Sequence, residues 1–118
     1  MKLEKEIHRY SKKNGYLIST YEDLACSCGS KEFQLYSDDN EGGAYVECPN
    51  CSKKLDIENS MKYIEEAVNN ICTCENEKLK VGVGKAFYGD SSDPRWVYVG
   101  AECGKCGLAG VYVDWSES

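Results

Sequence analysis

Residues 26–51 read CSCGSKEFQLYSDDNEGGAYVECPNC, and the spacing inside this stretch decides the fold. The close pair Cys26/Cys28 precedes a run carrying Phe33 and Leu35. A turn-rich segment, Asp38 to Gly43, separates that run from a second one, which ends in the close pair Cys48/Cys51. Two runs joined by Asp, Asn and Gly residues predict a β-hairpin, and closing the hairpin brings the two cysteine pairs together. Four thiolates about 2.3 Å from a common centre are what a tetrahedral zinc requires. Residues 72–106 repeat the order, with Cys72/Cys74 as C-x-C and Cys103/Cys106 as C-x-x-C. All eight cysteines are thereby assigned to two metal sites, with local pairing favoured over a crossed one such as Cys26/Cys28 with Cys103/Cys106 because short hairpins close it cheaply.

Eight cysteines would also allow four disulfides in a secreted scaffold. Pairing in C-x-C and C-x-x-C fits metal better, and the first thirty residues hold no apolar core of a signal peptide. The expectation is a cytoplasmic, soluble protein without a membrane span or lipid anchor. Thiolate tetrahedra also accept iron, since selectivity depends on metal supply, but zinc is the better match.

A chain of 118 residues can form one ordinary domain or two small units, and the repeated order favours two. They are residues 1–59, an N-terminal helix with a first ribbon, and 60–118, a linking helix with a second, packed as one compact unit. Neither half buries enough apolar surface alone, so metal must supply much of the folding energy. Formal net charge is −6 with neutral cysteines. Two filled sites subtract eight for the thiolates and return four for the dications, which gives −10. Nucleic-acid binders draw affinity from Lys and Arg on phosphates, so this balance favours a basic protein partner instead.

Along the chain, Leu3, Ile7 and Tyr10 recur at helical spacing over residues 2–13, and Asn14-Gly15 supplies a stop. Ser19 to Glu22 resembles a capping box that opens a short turn. Strands are expected over 31–37, 44–47 and 53–57 for the first ribbon, and over 78–88, 95–102 and 108–115 for the second. Ser60 is expected to cap a helix through Ile71, with Ile64, Ala67, Val68 and Ile71 as its apolar stripe. The predicted class is α+β: two tandem three-stranded antiparallel zinc ribbons, each preceded by a short helix.

With spacings C-x-C-x19-C-x2-C and C-x-C-x28-C-x2-C, the chain resembles the zinc-ribbon superfamily over residues 24–58 and 72–115. Ribbons commonly open with C-x2-C, and both opening pairs here are one residue shorter. The resemblance implies fold and zinc while leaving function open, because ribbons serve transcription, RNA processing and protein adaptors alike. All-thiolate sites are closed and hold no activated water, so no enzyme is expected. The deaminase pattern is incomplete, His8 is the only histidine, and no βαβ pattern surrounds Cys48-Pro-Asn-Cys51 to make it a redox motif.

Two features predict a partner surface. Asp38, Asp39 and Glu41 gather on the first hairpin, with Asp90 and Asp93 on the second, and the first group lacks the pattern of a calcium loop. Strand alternation in the second ribbon sets Val111, Val113 and Trp115 on one face and Trp96, Tyr98 and Tyr112 on the other. Those aromatics either pack on the 60–71 helix or the first ribbon, or form an exposed patch. Small, acidic and cytoplasmic, the chain looks most like a bacterial immunity protein that covers the cationic site of a nuclease toxin. The competing expectation is a nucleic-acid-binding ribbon using Lys2, Lys5, Arg9, Lys12 and Lys13 with Lys78, Lys80, Lys85 and Arg95.

Overall fold

In the computed structural model, which describes residues 2–87 and 94–116, one α-helix and eight strands form three layers. The helix is α1 (Lys2–Asn14); the strands are β1 (Thr20–Asp23), β2 (Gln34–Asp38), β3 (Gly43–Glu47), β4 (Lys54–Asp56), β5 (Val68–Asn70), β6 (Leu79–Phe87), β7 (Pro94–Cys103) and β8 (Ala109–Ser116). Two four-stranded antiparallel sheets result, ordered β1-β6-β7-β8 and β4-β3-β2-β5. They face each other across one apolar core that includes Leu35 and Val46 from one sheet, Leu79, Val97 and Val99 from the other, and Phe33 just before β2. Paired backbone bonds between Phe33 and Leu79, 2.7 and 2.8 Å, stitch the sheets directly. Helix α1 covers the opposite face of the β6–β7–β8 sheet.

The α1 stop forms as its sequence predicts. Gly15 adopts φ 89°, and the amides of Gly15 and Tyr16 donate to the carbonyls of Lys12 and Ser11. Ile7 and Leu3 are buried against Tyr98. This close approach needs bare backbone beneath it: a Cβ on Gly84 or Gly100 would lie 2.7 or 2.8 Å from the Ile7 side chain.

The expected architecture of two helix-plus-ribbon units is not found, because among the described residues α1 is the only α-helix. Residues 60–71 form a 3-10 turn (Met61–Tyr63) and then β5. Two physical causes outweigh the helical spacing. The outer edge of β2 needs hydrogen-bond partners, and β5 provides them in antiparallel register, Leu35 to Asn70 and Ser37 to Val68. The expected cap is also engaged elsewhere. Ser60 Oγ accepts the Ala44 amide at 2.9 Å and lies 2.6 Å from the Ile57 carbonyl, and it caps no helix. Val68 and Ile71, expected on the apolar stripe of that helix, are 60% and 48% exposed.

Asp38 organises this region. Its Oδ1 accepts the amides of Asn40 and Glu41, and its Oδ2 accepts those of Glu65 and Glu66, at 3.1–3.3 Å. The Glu65 and Glu41 amides hold its carboxyl below the usual carboxylate range. Replacing Asp38 with alanine is expected to release residues 64–67 from the hairpin. Hydrogen exchange at the Glu65 and Glu66 amides would then rise at least about tenfold, whereas unchanged exchange would assign their protection to another contact.

Two smaller expectations also change. Ser19 to Glu22, read as a capping box that opens a turn, instead lead into and form most of β1, paired with β6 from Thr20–Lys85 to Asp23–Gly82. A register shift between β7 and β8 pairs Val99 with Val113 and Gly100 with Val111, which leaves Tyr112 as an extra residue. Val111 therefore packs on the α1 side, and Tyr112 turns toward the inter-sheet core. The second hairpin loop, with Asp90 and Asp93, lies outside the described residues.

Candidate metal centres

The turns around the cysteines follow two local rules, each used twice. In each C-x-C turn the first cysteine amide donates four residues ahead, Cys26 to Ser30 (2.9 Å) and Cys72 to Asn76 (3.0 Å). The residue three beyond that cysteine returns a bond to its carbonyl from a left-handed conformation: Gly29 at φ 97° and Glu75 at φ 72°. In each C-x-x-C turn the first cysteine amide donates five residues ahead, Cys48 to Lys53 and Cys103 to Leu108, both 2.8 Å. Ser52 at φ 64° and Gly107 at φ 80° close these turns. The short turns tie off their own backbone groups and leave the sulfurs free to converge.

Two sets result: Cys26, Cys28, Cys48 and Cys51, then Cys72, Cys74, Cys103 and Cys106. Within each set all four sulfurs lie within 4.8 Å of one another. Across the turns, Cys26–Cys51 and Cys28–Cys48 are 3.5 and 3.6 Å apart, and Cys72–Cys106 and Cys74–Cys103 are 3.4 and 3.6 Å. A tetrahedron of sulfurs about 2.3 Å from its centre has edges of roughly 3.8 Å, whereas a disulfide spans about 2.05 Å. Each set could hold a metal ion, and its pairing is local. The first cysteine of every pair is buried, at 5% exposure or less, while Cys28, Cys51 and Cys106 face solvent and Cys74 is half-buried. The sets are thus rooted in the apolar core and capped by water.

Hydrogen bonds distribute the charge. Asn76 Nδ2 donates to Cys103 Sγ at 3.3 Å, and the amides of Lys105 and Cys106 do so at 3.4 Å. The Asn76 amide first, then the Cys106 N–H, bring the Cys103 thiol down to about 5. At the first site the Ser30 amide and Asn50 Nδ2 lower Cys28 to about 6. The Lys53 amide opposes the rise at Cys51, but the bond shared with Cys26 and burial push that thiol up to about 11. Cys74, opposed by the Asn76 backbone amide, rises to about 12 through burial and its bond to Cys103. Four adjacent thiolates repel one another, so each set favours full ionisation only around a cation.

Asn50 and Asn76 escape a search for ligands because their amides touch sulfur rather than metal. Their sequence signal is an asparagine inside or just beyond a cysteine turn. Replacing Asn76 with alanine is expected to weaken the second site's metal affinity about tenfold with the first unaffected, read by chelator competition. Equal weakening at both sites, or none, would contradict this assignment.

The expected partner residues disperse. Tyr98 is fully buried beneath α1, and Trp96 stacks on Tyr16 at 4.8 Å and donates to Asp114. Tyr112 is half-buried beside the second set; burial, then the nearby cysteines, raise its phenol above its ordinary value. Asp38 is buried, while Asp39 and Glu41 remain exposed. His8 lies exposed on α1. Among the described residues no helix is long and apolar enough to cross a membrane. No protein-family model matches the chain, and neither a curated protein nor a solved structure matches it.

Proposed function

We propose that this is a non-enzymatic, zinc-held binding module whose acidic surface docks on a basic protein, as an inhibitor of a cationic nuclease toxin would. The ions act as structural rivets, because a closed four-thiolate shell leaves no position for substrate or activated water. One observation carries the reading. Asp and Glu outnumber Lys and Arg by 20 to 14, and the two ion pairs found among the described residues, Arg9–Glu6 and Lys85–Glu58, each cancel one charge of either sign and so leave the net −6 in place. A net charge of one sign raises association rates with an oppositely charged partner.

The cations that nucleic-acid binding would use are partly engaged at home. Arg9 pairs with Glu6, Lys85 with Glu58, Lys2 donates to the Gly107 carbonyl, and Arg95 lies over the Tyr16 ring. Affinity capture with the metal-loaded chain, followed by mass spectrometry and stopped-flow binding, tests the reading. A basic protein should be retained, and its association rate should fall steeply as salt rises from low to physiological strength. Tight binding of RNA or DNA with a steep salt slope, and no basic protein retained, would overturn it.

A further inference from the structure

We propose that the outer edge of β5, set among Asp39, Glu41, Glu65 and Glu66, is the docking surface. Its occupant is an extended, lysine- or arginine-rich segment of the partner that adds to the sheet as a further strand. This rests on the reading of the chain as a binder of a basic protein, and says where and how it binds.

Hydrogen-bond parity shows which groups the edge presents. The Ala44 amide donates to Ser60 Oγ and its carbonyl accepts from Ile57, so both groups point away from β2. Ser37 stands opposite Ala44 in the ladder, and must therefore turn its own amide and carbonyl to β5, where it meets Val68. Leu35 meets Asn70 in the same way. Asn69, between them, then directs its amide and carbonyl outward, where β5 ends the sheet. Proteins commonly blunt such edges with lysine or proline, and β5 has neither.

Apolar and charged surface flank this edge together. Tyr63, Val68 and Ile71 are 54%, 60% and 48% exposed, half of the large apolar side chains that stand out among the described residues. Beside them a cleft of about 340 Å³ is bounded by Asp39, Glu41, Glu65, Glu66 and Val68. All four carboxylates are exposed, and none has an ion-pair partner among the described residues. The nearest lysine in sequence, Lys62, lies over the Tyr63 ring instead. Asp38 fixes the backbone at three of them by accepting the Glu41, Glu65 and Glu66 amides. Like charges oppose pairing of this edge with a second copy, whereas alternate cationic side chains on an added strand would face the carboxylates.

The test is titration of the 15N-labelled, metal-loaded full chain with an alternating lysine–valine peptide. Amide shifts should concentrate at 38–41 and 65–70, with slowed exchange at Asn69. Glu65→Lys with Glu66→Lys should weaken binding at least about tenfold, while Glu22→Lys on β1 leaves it within about twofold. Asn69→Pro should abolish it, because proline removes the outward amide and leaves the bonds of Val68 and Asn70 to β2. Undiminished binding in the reversal variant, self-association through this edge, or preferential binding of single-stranded RNA there would each overturn the proposal. Peptide shifts on another acidic face would sink this surface alone, whereas retention of no basic protein by the native chain would sink the reading beneath it.

Discussion

Replacing Cys48 or Cys103 with serine is expected to abolish cooperative folding of the whole chain and release the metal of the affected site. Both thiols are essentially inaccessible, and both sit in the same inter-sheet core as Cys26 and Cys72. A neutral hydroxyl is a poor ligand for a soft-ligand site, and three remaining thiolates would be left partly buried around a weakened centre. The magnitude decides the outcome. Structural zinc contributes about 10–16 kcal/mol in small fingers, comparable to or greater than the roughly 5–15 kcal/mol by which whole domains are stable. Loss of near-ultraviolet circular dichroism and of amide dispersion, with metal detected colorimetrically, checks this. A serine variant that stays folded with both ions bound would show that packing alone suffices.

Tyr98→Ala should be the most damaging substitution away from the cysteines, destabilising the chain by about 3–5 kcal/mol. The side chain is the largest of those fully buried among the described residues, its ring meets Tyr10 edge-on at 5.8 Å, and its hydroxyl donates to the Tyr16 carbonyl while accepting from Asn14. It therefore ties α1 and the turn after it to β7. Tyr98→Phe keeps the ring and should cost only about 1–2 kcal/mol, because Asn14 is exposed and can turn to water. Urea midpoints of the two variants, measured with metal in excess, separate a core lesion from a binding lesion. Equal and small losses would mean that α1 is not anchored through this ring.

Local geometry separates what could be read in the sequence from what could not. The cysteine sets are legible because each depends on a hairpin and two short turns, whose spacing and Gly, Pro and Asn content stand in the chain itself. The α1 stop is legible at Asn14-Gly15 for the same reason. Residues 60–71 are not, because Ile64, Val68 and Ile71 have helical spacing, and the unpaired edge of β2 together with the engagement of Ser60 by Ala44 and Ile57 turns the segment away from helix. Tyr112 is misplaced by alternation since one extra residue reverses the faces, and nothing local marks it. Asp38 reads as surface charge, yet four backbone amides from two segments draw it inward. Partners distant along the chain decide each of these cases.

Native mass spectrometry of the freshly purified chain, with thiol counting after denaturation, asks whether each of the two four-cysteine sets holds a structural metal ion. Two zinc ions per chain are expected, with eight free thiols once the metal is stripped. A folded, metal-free chain lighter by eight hydrogens, with four cystines in place of the thiols, would contradict this.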